Sequence, residues 1–359
     1  MDYRSRLAKL YQSIEGEGLD ALLVSQPENI RYLSGFTSPD ALLIISQKHA
    51  CIVTDSRYYE QAAQQAPDFE LVKVTRRVHE ALAGHIAALG FRTLGFESHA
   101  VTVQTYTLWK RVLPDIEWVA SSDLVERLRL IKDTDEIMAI EEAVRIADDA
   151  MCHIMAWIRP GMTEREVAWE LEVHMRTHGG ERLSFTTIVG SGPNGAMAHA
   201  VASDRPIAIG DPIVIDMGTV YDGYCSDMTR SFCLGHGSDK YRKVWDTVLE
   251  AQLAAENRIK AGVSGVEADA IARQIIYAAG YEGMFGHGLG HGVGLAIHEG
   301  PRASYTSKDT LKEDSIVTVE PGIYIPGWGG VRIEDMVLIG EDGCCVLTQA
   351  PKQAVVSVT

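Results

Sequence analysis

Ile213-Val-Ile-Asp216-Met-Gly-Thr-Val-Tyr-Asp222-Gly223-Tyr-Cys-Ser-Asp227 decides the fold of the larger part of this chain. Asp222-Gly223 favours a type I′ turn and joins two apolar runs, residues 212–221 and 224–234. A two-residue turn pairs Tyr221 with Tyr224, and the same register sets Gly218 opposite Asp227. Side chains alternate along a strand, so Asp216, Gly218 and Asp227 share one face. Asp216 and Asp227 are then diagonal neighbours, roughly 6–8 Å apart at Cα, with open space expected over Gly218. Two carboxylates that close on an apolar sheet repel unless a cation or proton lies between them. The alternative is a solvated sheet face with two ordinary aspartates.

A second acidic pair lies downstream. Glu320 ends an apolar run in Val-Glu320-Pro-Gly-Ile-Tyr324, and Glu334 interrupts another in Val-Arg332-Ile-Glu334-Asp335. Residues 315–320 and 331–339 read as strands joined by a loop rich in Gly and Pro. Charged groups inside apolar runs are buried only when paired or metal-bound. The competing reading is an edge strand that shows Arg332, Glu334 and Asp335 to water. Between the pairs stands His287-Gly-Leu-Gly-His291-Gly-Val-Gly-Leu-Ala-Ile-His298-Glu-Gly-Pro301, three histidines spaced by glycines. Glycine permits close backbone approach, and imidazole is the commonest metal ligand. Four carboxylates and one imidazole suit two divalent ions; hard oxygen donors with one nitrogen favour Mn²⁺, with Co²⁺, Zn²⁺ or Fe²⁺ as alternatives. A calcium site needs more carbonyl oxygens and an acidic loop, which is absent.

The 359 residues carry 33 Lys and Arg against 49 Asp and Glu, a net charge of −16. That balance argues against nucleic-acid and anionic-membrane partners. No apolar core follows the N-terminal Met-Asp-Tyr-Arg-Ser-Arg, and no run is long and apolar enough to span a bilayer. The six cysteines form no CxxC pair, so reduced, mostly buried thiols and a cytoplasmic location are expected.

Along the chain, helices are expected over residues 4–17, 55–66, 77–89 and 103–112, with a short helix or turn over 29–36 closed by Gly35. Short apolar strands are expected over 19–25, 41–46, 51–54 and 93–96. That alternation predicts an α/β domain over residues 1–125 with both sheet faces covered. Polar residues 121–133 mark the boundary. A long helix then starts at about Asp135, capped by Asp133 or Thr134, and Thr163-Glu-Arg-Glu166 is a capping box for the next. Residues 126–359 read as an α+β domain with an antiparallel, hairpin-rich sheet and later helices near 238–261 and 265–279.

Asp216, Asp227, His291, Glu320 and Glu334, in this order, resemble the five metal ligands of the pita-bread metallopeptidases. Val-Gly-Ser-Gly-Pro-Asn-Gly-Ala-Met-Ala-His199, the His291 to His298 segment and Val-Glu320-Pro-Gly-Ile-Tyr324 resemble the proline-specific branch, aminopeptidase P and prolidase. The likeness covers most of residues 130–345, behind a creatinase/prolidase-like N-terminal domain. It implies a homodimeric exopeptidase with two divalent ions that cleaves small peptides with proline in second position. By the resemblance, Asp216 chelates one ion, Asp227 and Glu334 bridge both, and His291 and Glu320 hold the other. Glu320 also moves a proton, while His199 and His298 contact the substrate carbonyl and the developing tetrahedral centre. Tyr324 and Arg332 match substrate-side positions, and His287 lines the substrate pocket or supports the glycine loop; Arg332 shares a strand face with Glu334 and pairs with a bridging carboxylate or with substrate. The bland alternatives are a capping role for His199, a core histidine at 298 and sheet packing for Tyr324 and Arg332. Rival functions are another hydrolase or lyase on the same scaffold, or a methionine-type aminopeptidase.

Overall fold

The N-terminal expectation of alternating strands and helices is met, with two additions. The computed structural model describes residues 1–358, which divide into two compact units, Met1–Arg129 and Leu130–Thr359. In the first, β1 (Ala21–Val24), β2 (Ala41–Ile45), β3 (Ala50–Asp55), β4 (Glu70–Val74), β5 (Thr93–Glu97) and β6 (Glu117–Ser121) form one sheet in the order β4-β3-β2-β1-β5-β6. β1–β2 and β2–β3 pair antiparallel, and the remaining neighbours pair parallel. β4 and β6 are the two strands the sequence reading missed. Both are edge strands, largely half-buried or exposed, and their alternation with charged residues gives too weak an apolar signal. The inner strands contribute Ala21, Leu23, Ile44, Cys51, Val53, Leu94 and Phe96 to a core closed by Leu82, Ile86 and Trp109 from the helices Val78–Leu89 and Val103–Val112. Of the short helix or turn expected over residues 29–36, the helix forms, over Pro27–Ser34, and ends on Gly35 at φ +79°.

In the second unit, the helix Thr134–Trp157 starts at the Asp133 cap, with Glu136 completing the box. Glu164–Thr177 starts likewise at Thr163 and Glu166. The strands that follow are β7 (Arg182–Leu183), β8 (Ile188–Ser191), β9 (Ile213–Met217), β10 (Thr219–Tyr221), β11 (Tyr224–Cys225), β12 (Met228–Leu234), β13 (Gly290–Gly292), β14 (Glu299–Ala303), β15 (Ile316–Val319), β16 (Gly322–Ile325), β17 (Gly329–Arg332), β18 (Asp335–Ile339), β19 (Cys344–Val346) and β20 (Val355–Val356). Two sheets dominate, β20-β12-β9-β8 and β14-β13-β15-β18-β19. Pairing is antiparallel apart from β12–β20. The first sheet packs Val189, Ile213, Ile215 and Phe232 on the helices Thr134–Trp157 and Glu164–Thr177 through Met151, Ile154, Val167 and Leu171. The second packs Val317, Val319 and Val337 on the helices Asp239–Glu256 and Gly265–Ala278 through Val244, Val248, Ala272 and Ile276.

The decisive hairpin has the predicted register. Tyr221 pairs with Tyr224, Met217 with Met228 and Asp216 with Thr229. Asp222 at φ +43° and Gly223 at φ +78° are the two left-handed residues of the type I′ turn. Gly218 departs from expectation. A Cβ there meets the Ser226 carbonyl, so the glycine permits close backbone approach rather than opening space. At this point the ladder breaks, and the hairpin passes from the β9–β12 sheet to the small β7–β10–β11 sheet.

The second acidic pair lies on a similarly broken hairpin. The expected Gly- and Pro-rich loop is itself a paired ribbon, β16 with β17. Val319 pairs with Asp335 and Gly322 with Arg332, which sets Glu320 opposite Glu334 at the break between β15–β18 and β16–β17.

A buried ionic cluster braces β18. Asp335 accepts from Arg230 at 2.7 Å, Lys352 at 2.5 Å and Gln252 at 3.1 Å. Glu256, 3.4 Å from Lys352, is pushed up to about 7 by burial and by Asp335. A carboxyl raised in the folded state binds its proton more tightly there than in the unfolded chain, whose value lies near about 4.3. Its contribution is therefore complete below that value and lost as pH rises through about 7. We expect denaturant midpoints to fall between pH 5 and pH 8, and Glu256→Gln to flatten that fall. An unchanged slope in the variant contradicts the assignment.

Candidate metal centre and active site

Asp216, Asp227 and Glu334 are buried, at 9%, 5% and 2% exposure, which removes both solvated-face readings. One carboxylate oxygen from each lies within 4.8 Å of the others. His291 Nε2 lies 3.5 Å from Asp227 Oδ2 and 3.5 Å from Glu320 Oε1. The two broken hairpins and the glycine segment thus bring all five expected ligand residues to one wall of a cavity of about 690 Å³. His199, His287, His298 and Arg332 line the same cavity.

The backbone explains the glycine spacing. A Cβ at Gly290 meets the Thr318 carbonyl, so β13 lies tight against β15 and carries His291 over Glu320. Thr318 Oγ1 donates to Glu320 Oε1 at 3.1 Å and accepts from the His291 N–H at 3.0 Å. His291 Nδ1 lies 3.0 Å from the Gly292 carbonyl and must be the protonated nitrogen. Nε2 then presents a lone pair to two carboxylates, an arrangement that calls for a cation between them.

Electrostatics point the same way. Burial, then the neighbouring carboxylates Glu334, Asp216 and Glu320, push Asp227 well above the usual range. Burial, then Glu320 and Asp216, do the same to Glu334, and Asp216 and Glu320 are also raised chiefly by burial. Burial lowers His291, which favours the neutral ligand form. Asp216 Oδ1 is buried and has no hydrogen-bond partner. Uncompensated carboxylates, an orphaned oxygen and a correctly protonated imidazole together fit divalent cations.

Arg332 is buried, and burial alone lowers its affinity for a proton. Tyr324, Asp216 and Glu334 outweigh that and keep it charged. Its Nη2 reaches Asp216 Oδ2 at 2.5 Å, not one of the two carboxylates expected to bridge. Its Nε donates to Thr229 Oγ1 at 2.9 Å, and Thr229 Oγ1 donates to Glu334 Oε2 at 2.6 Å. Its Nη1 donates to Tyr324 Oη at 2.7 Å. Tyr324 in turn reaches His287 Nε2 at 2.9 Å, and His287 Nδ1 is 2.8 Å from the Gly288 carbonyl. The chain of donors therefore runs from Arg332 through Tyr324 to His287. Sequence reasoning missed Thr229 and Thr318. The hairpin register held a signal for Thr229, because it stands directly opposite Asp216.

His298 is exposed to the cavity and stacks edge-on against His291 at 4.4 Å, so it is not a core histidine. His199 is also exposed, on the loop after β8. Phe185, Ile188, Val201 and Ile297 add apolar side chains to the cavity lining. Asp40, in the first unit, accepts from Tyr58 Oη at 2.8 Å.

Residues 138–341 match the Metallopeptidase family M24, and residues 6–131 match the Creatinase/Prolidase N-terminal domain. The chain belongs to metallopeptidase family M24. Its fold is accordingly a creatinase-type N-terminal unit followed by a pita-bread catalytic unit. A solved Xaa-Pro dipeptidase from Bacillus anthracis is 42% identical, with a TM-score of 0.96 over 99% of this chain and 100% of that one. A solved X-Pro aminopeptidase from Thermotoga maritima MSB8 is 39% identical, with a TM-score of 0.89 over 97% and 100%. The Xaa-Pro dipeptidase of Pyrococcus furiosus is 39% identical over 354 residues, 98% of this chain and 99% of that protein. Membership in this family makes the protein a metallo-exopeptidase that uses divalent ions. Among the described residues, no helix is long and apolar enough to cross a membrane. All six cysteines are free, but only Cys51, Cys225 and Cys233 are buried, fewer than expected.

Proposed function

We propose that this M24 peptidase hydrolyses the bond between an N-terminal residue and proline, with dipeptides as the first substrate class. The observation that carries the reading is the set Asp216, Asp227, His291, Glu320 and Glu334, with three carboxylates buried, lining a cavity that apolar side chains also line. The relatives named Xaa-Pro dipeptidase and X-Pro aminopeptidase support it.

Two divalent ions, Mn²⁺ first by donor hardness, are assigned to these five residues. When bound, such ions lower the pKa of a water and polarise a carbonyl. Asp216 sits at one end of the set and His291 with Glu320 at the other, with Asp227 and Glu334 between. The protein's own groups do the rest. His199 and His298 reach into the cavity, where they hydrogen-bond the scissile carbonyl oxygen as it gains charge. Glu320 Oε1 is held by Thr318, which leaves Oε2 to take a proton from the attacking water and pass it to the departing proline nitrogen. That nitrogen leaves as a secondary amine and needs the proton. Phe185, Ile188, Val201 and Ile297 give the pyrrolidine ring an apolar wall. Tyr324 and His287 hold Arg332 in place on the floor of the site, and the Arg332 guanidinium offers its charge to the substrate carboxylate.

Reconstitution with Mn²⁺ and a panel of Xaa-Pro, Xaa-Pro-Yaa and Xaa-Ala peptides tests the reading. We expect Xaa-Pro to be turned over fastest. Equal turnover of Xaa-Ala and Xaa-Pro sinks the specificity, and a preference for the tripeptide moves the assignment to aminopeptidase. We further propose a homodimer in the cytoplasm, on the resemblance to this branch and on the free thiols. A monomer mass by light scattering with full activity removes the dimer, and recovery outside the cytosolic fraction removes the location.

A further inference from the structure

A second cluster of metal-ligating side chains lies in the N-terminal unit. Cys51 on β3 is fully buried and pairs in register with Glu70 on the adjacent parallel strand β4. His85 comes from the helix Val78–Leu89. His85 Nε2 lies 3.3 Å from Cys51 Sγ, and Glu70 Oε2 lies 3.9 Å from the same sulfur. The three donor atoms fall within 4.8 Å of one another. Tetrahedral zinc, with bonds of about 2.3 Å to sulfur and about 2.0 Å to nitrogen and oxygen, places such donors about 3.5 Å apart. The observed sulfur contacts straddle that spacing.

We propose that Cys51, Glu70 and His85 bind one exchangeable zinc-class ion, with water as the fourth ligand. Glu70 is exposed and His85 half-buried, so the site has an entry path and room for the water. Thiolate, imidazole and a single carboxylate form a softer set than the oxygen-rich catalytic wall, and they select zinc over manganese. The Cys51 thiol faces Glu70 Oε2 and His85 Nε2 at once, so one sulfur links both of the other donors. Burial, then Glu70, pushes the thiol up to about 11. On binding, the S–H bond breaks, the S–Zn bond forms and the proton passes to buffer. The ion ties edge strand β4 and the helix Val78–Leu89 to the neighbouring strand β3.

Cobalt(II) separates this site from the others. Full-length protein is stripped with chelator, loaded with Mn²⁺ and then titrated with Co²⁺. We expect a thiolate-to-cobalt charge-transfer band that saturates at one ion per chain and is bleached by Zn²⁺. The catalytic wall and the surface cluster of Asp149, His174 and His178 hold no sulfur and give no such band. Cys51→Ser removes the band. Glu70→Gln, at an exposed position, weakens cobalt binding by more than about tenfold, the lower end of what even an indirect partner of a metal ligand contributes. Its Mn²⁺-dependent peptidase turnover stays as in the parent. Absence of the band in the parent overturns the proposal. So does a band of equal strength in Cys51→Ser, or unchanged affinity in Glu70→Gln, which decides the matter if Cys51→Ser does not fold.

Discussion

His291→Ala is expected to lose bound metal and to lower kcat on an Xaa-Pro dipeptide by about 10³-fold or more, since the ions contribute several kcal/mol of transition-state stabilisation. His298→Ala is expected to keep its metal and to lose on the order of 10²–10³ in kcat, the scale of one oxyanion donor. The two residues stand seven apart in one glycine-rich segment, and their rings are 4.4 Å apart. Geometry distinguishes them. His291 Nε2 faces Asp227 and Glu320 while its Nδ1 is committed to the Gly292 carbonyl; His298 opens to the cavity. Metal content by mass spectrometry beside kcat reads both effects. Loss of metal from His298→Ala with retention in His291→Ala reverses the assignment.

Arg332→Met is expected to destabilise the metal-loaded protein by about 3–5 kcal/mol, the usual cost of breaking a buried charge pair from one side. The guanidinium meets Asp216, Thr229 and Tyr324 at once. Removing it leaves Asp216 Oδ2 without its guanidinium donor, Thr229 without a donor and Tyr324 without the contact that aims it at His287. Denaturant unfolding measures the loss, and a lowered kcat is expected beside it. Arg332→Lys restores charge but not the three-way fork, so it recovers only part of either quantity. Wild-type stability in Arg332→Met contradicts the proposed role of the pair.

Much of this was legible in the chain because β structure has a period of two and the Asp222-Gly223 turn admits one register. From that turn alone, Asp216, Gly218 and Asp227 fall on one face, and they do. The helix starts at Asp133 and Thr163 were legible because a capping box is a local hydrogen-bond pattern. What escaped is what depends on distant chain segments. β4 and β6 are held by their neighbours in the sheet rather than by their own apolar content. The β16–β17 ribbon looked like a loop because glycine and proline mask its pairing. Gly218 read as open space between two carboxylates, whereas it yields to a neighbouring backbone carbonyl, as Gly290 does. Thr229 and Thr318 have no sequence mark beyond register, yet they fix Glu334 and Glu320.

The account's central claim is that Asp216, Asp227, His291, Glu320 and Glu334 hold two ions on which peptide cleavage depends. Its most direct test is stoichiometric: chelated protein is titrated with Mn²⁺ while bound ions and Xaa-Pro turnover are followed together. The account predicts negligible turnover without metal, two ions per chain at the catalytic wall at saturation, and loss of both ions and turnover in a Glu334→Ala protein. Full turnover in the chelated enzyme, or two tightly held ions in Glu334→Ala, contradicts it.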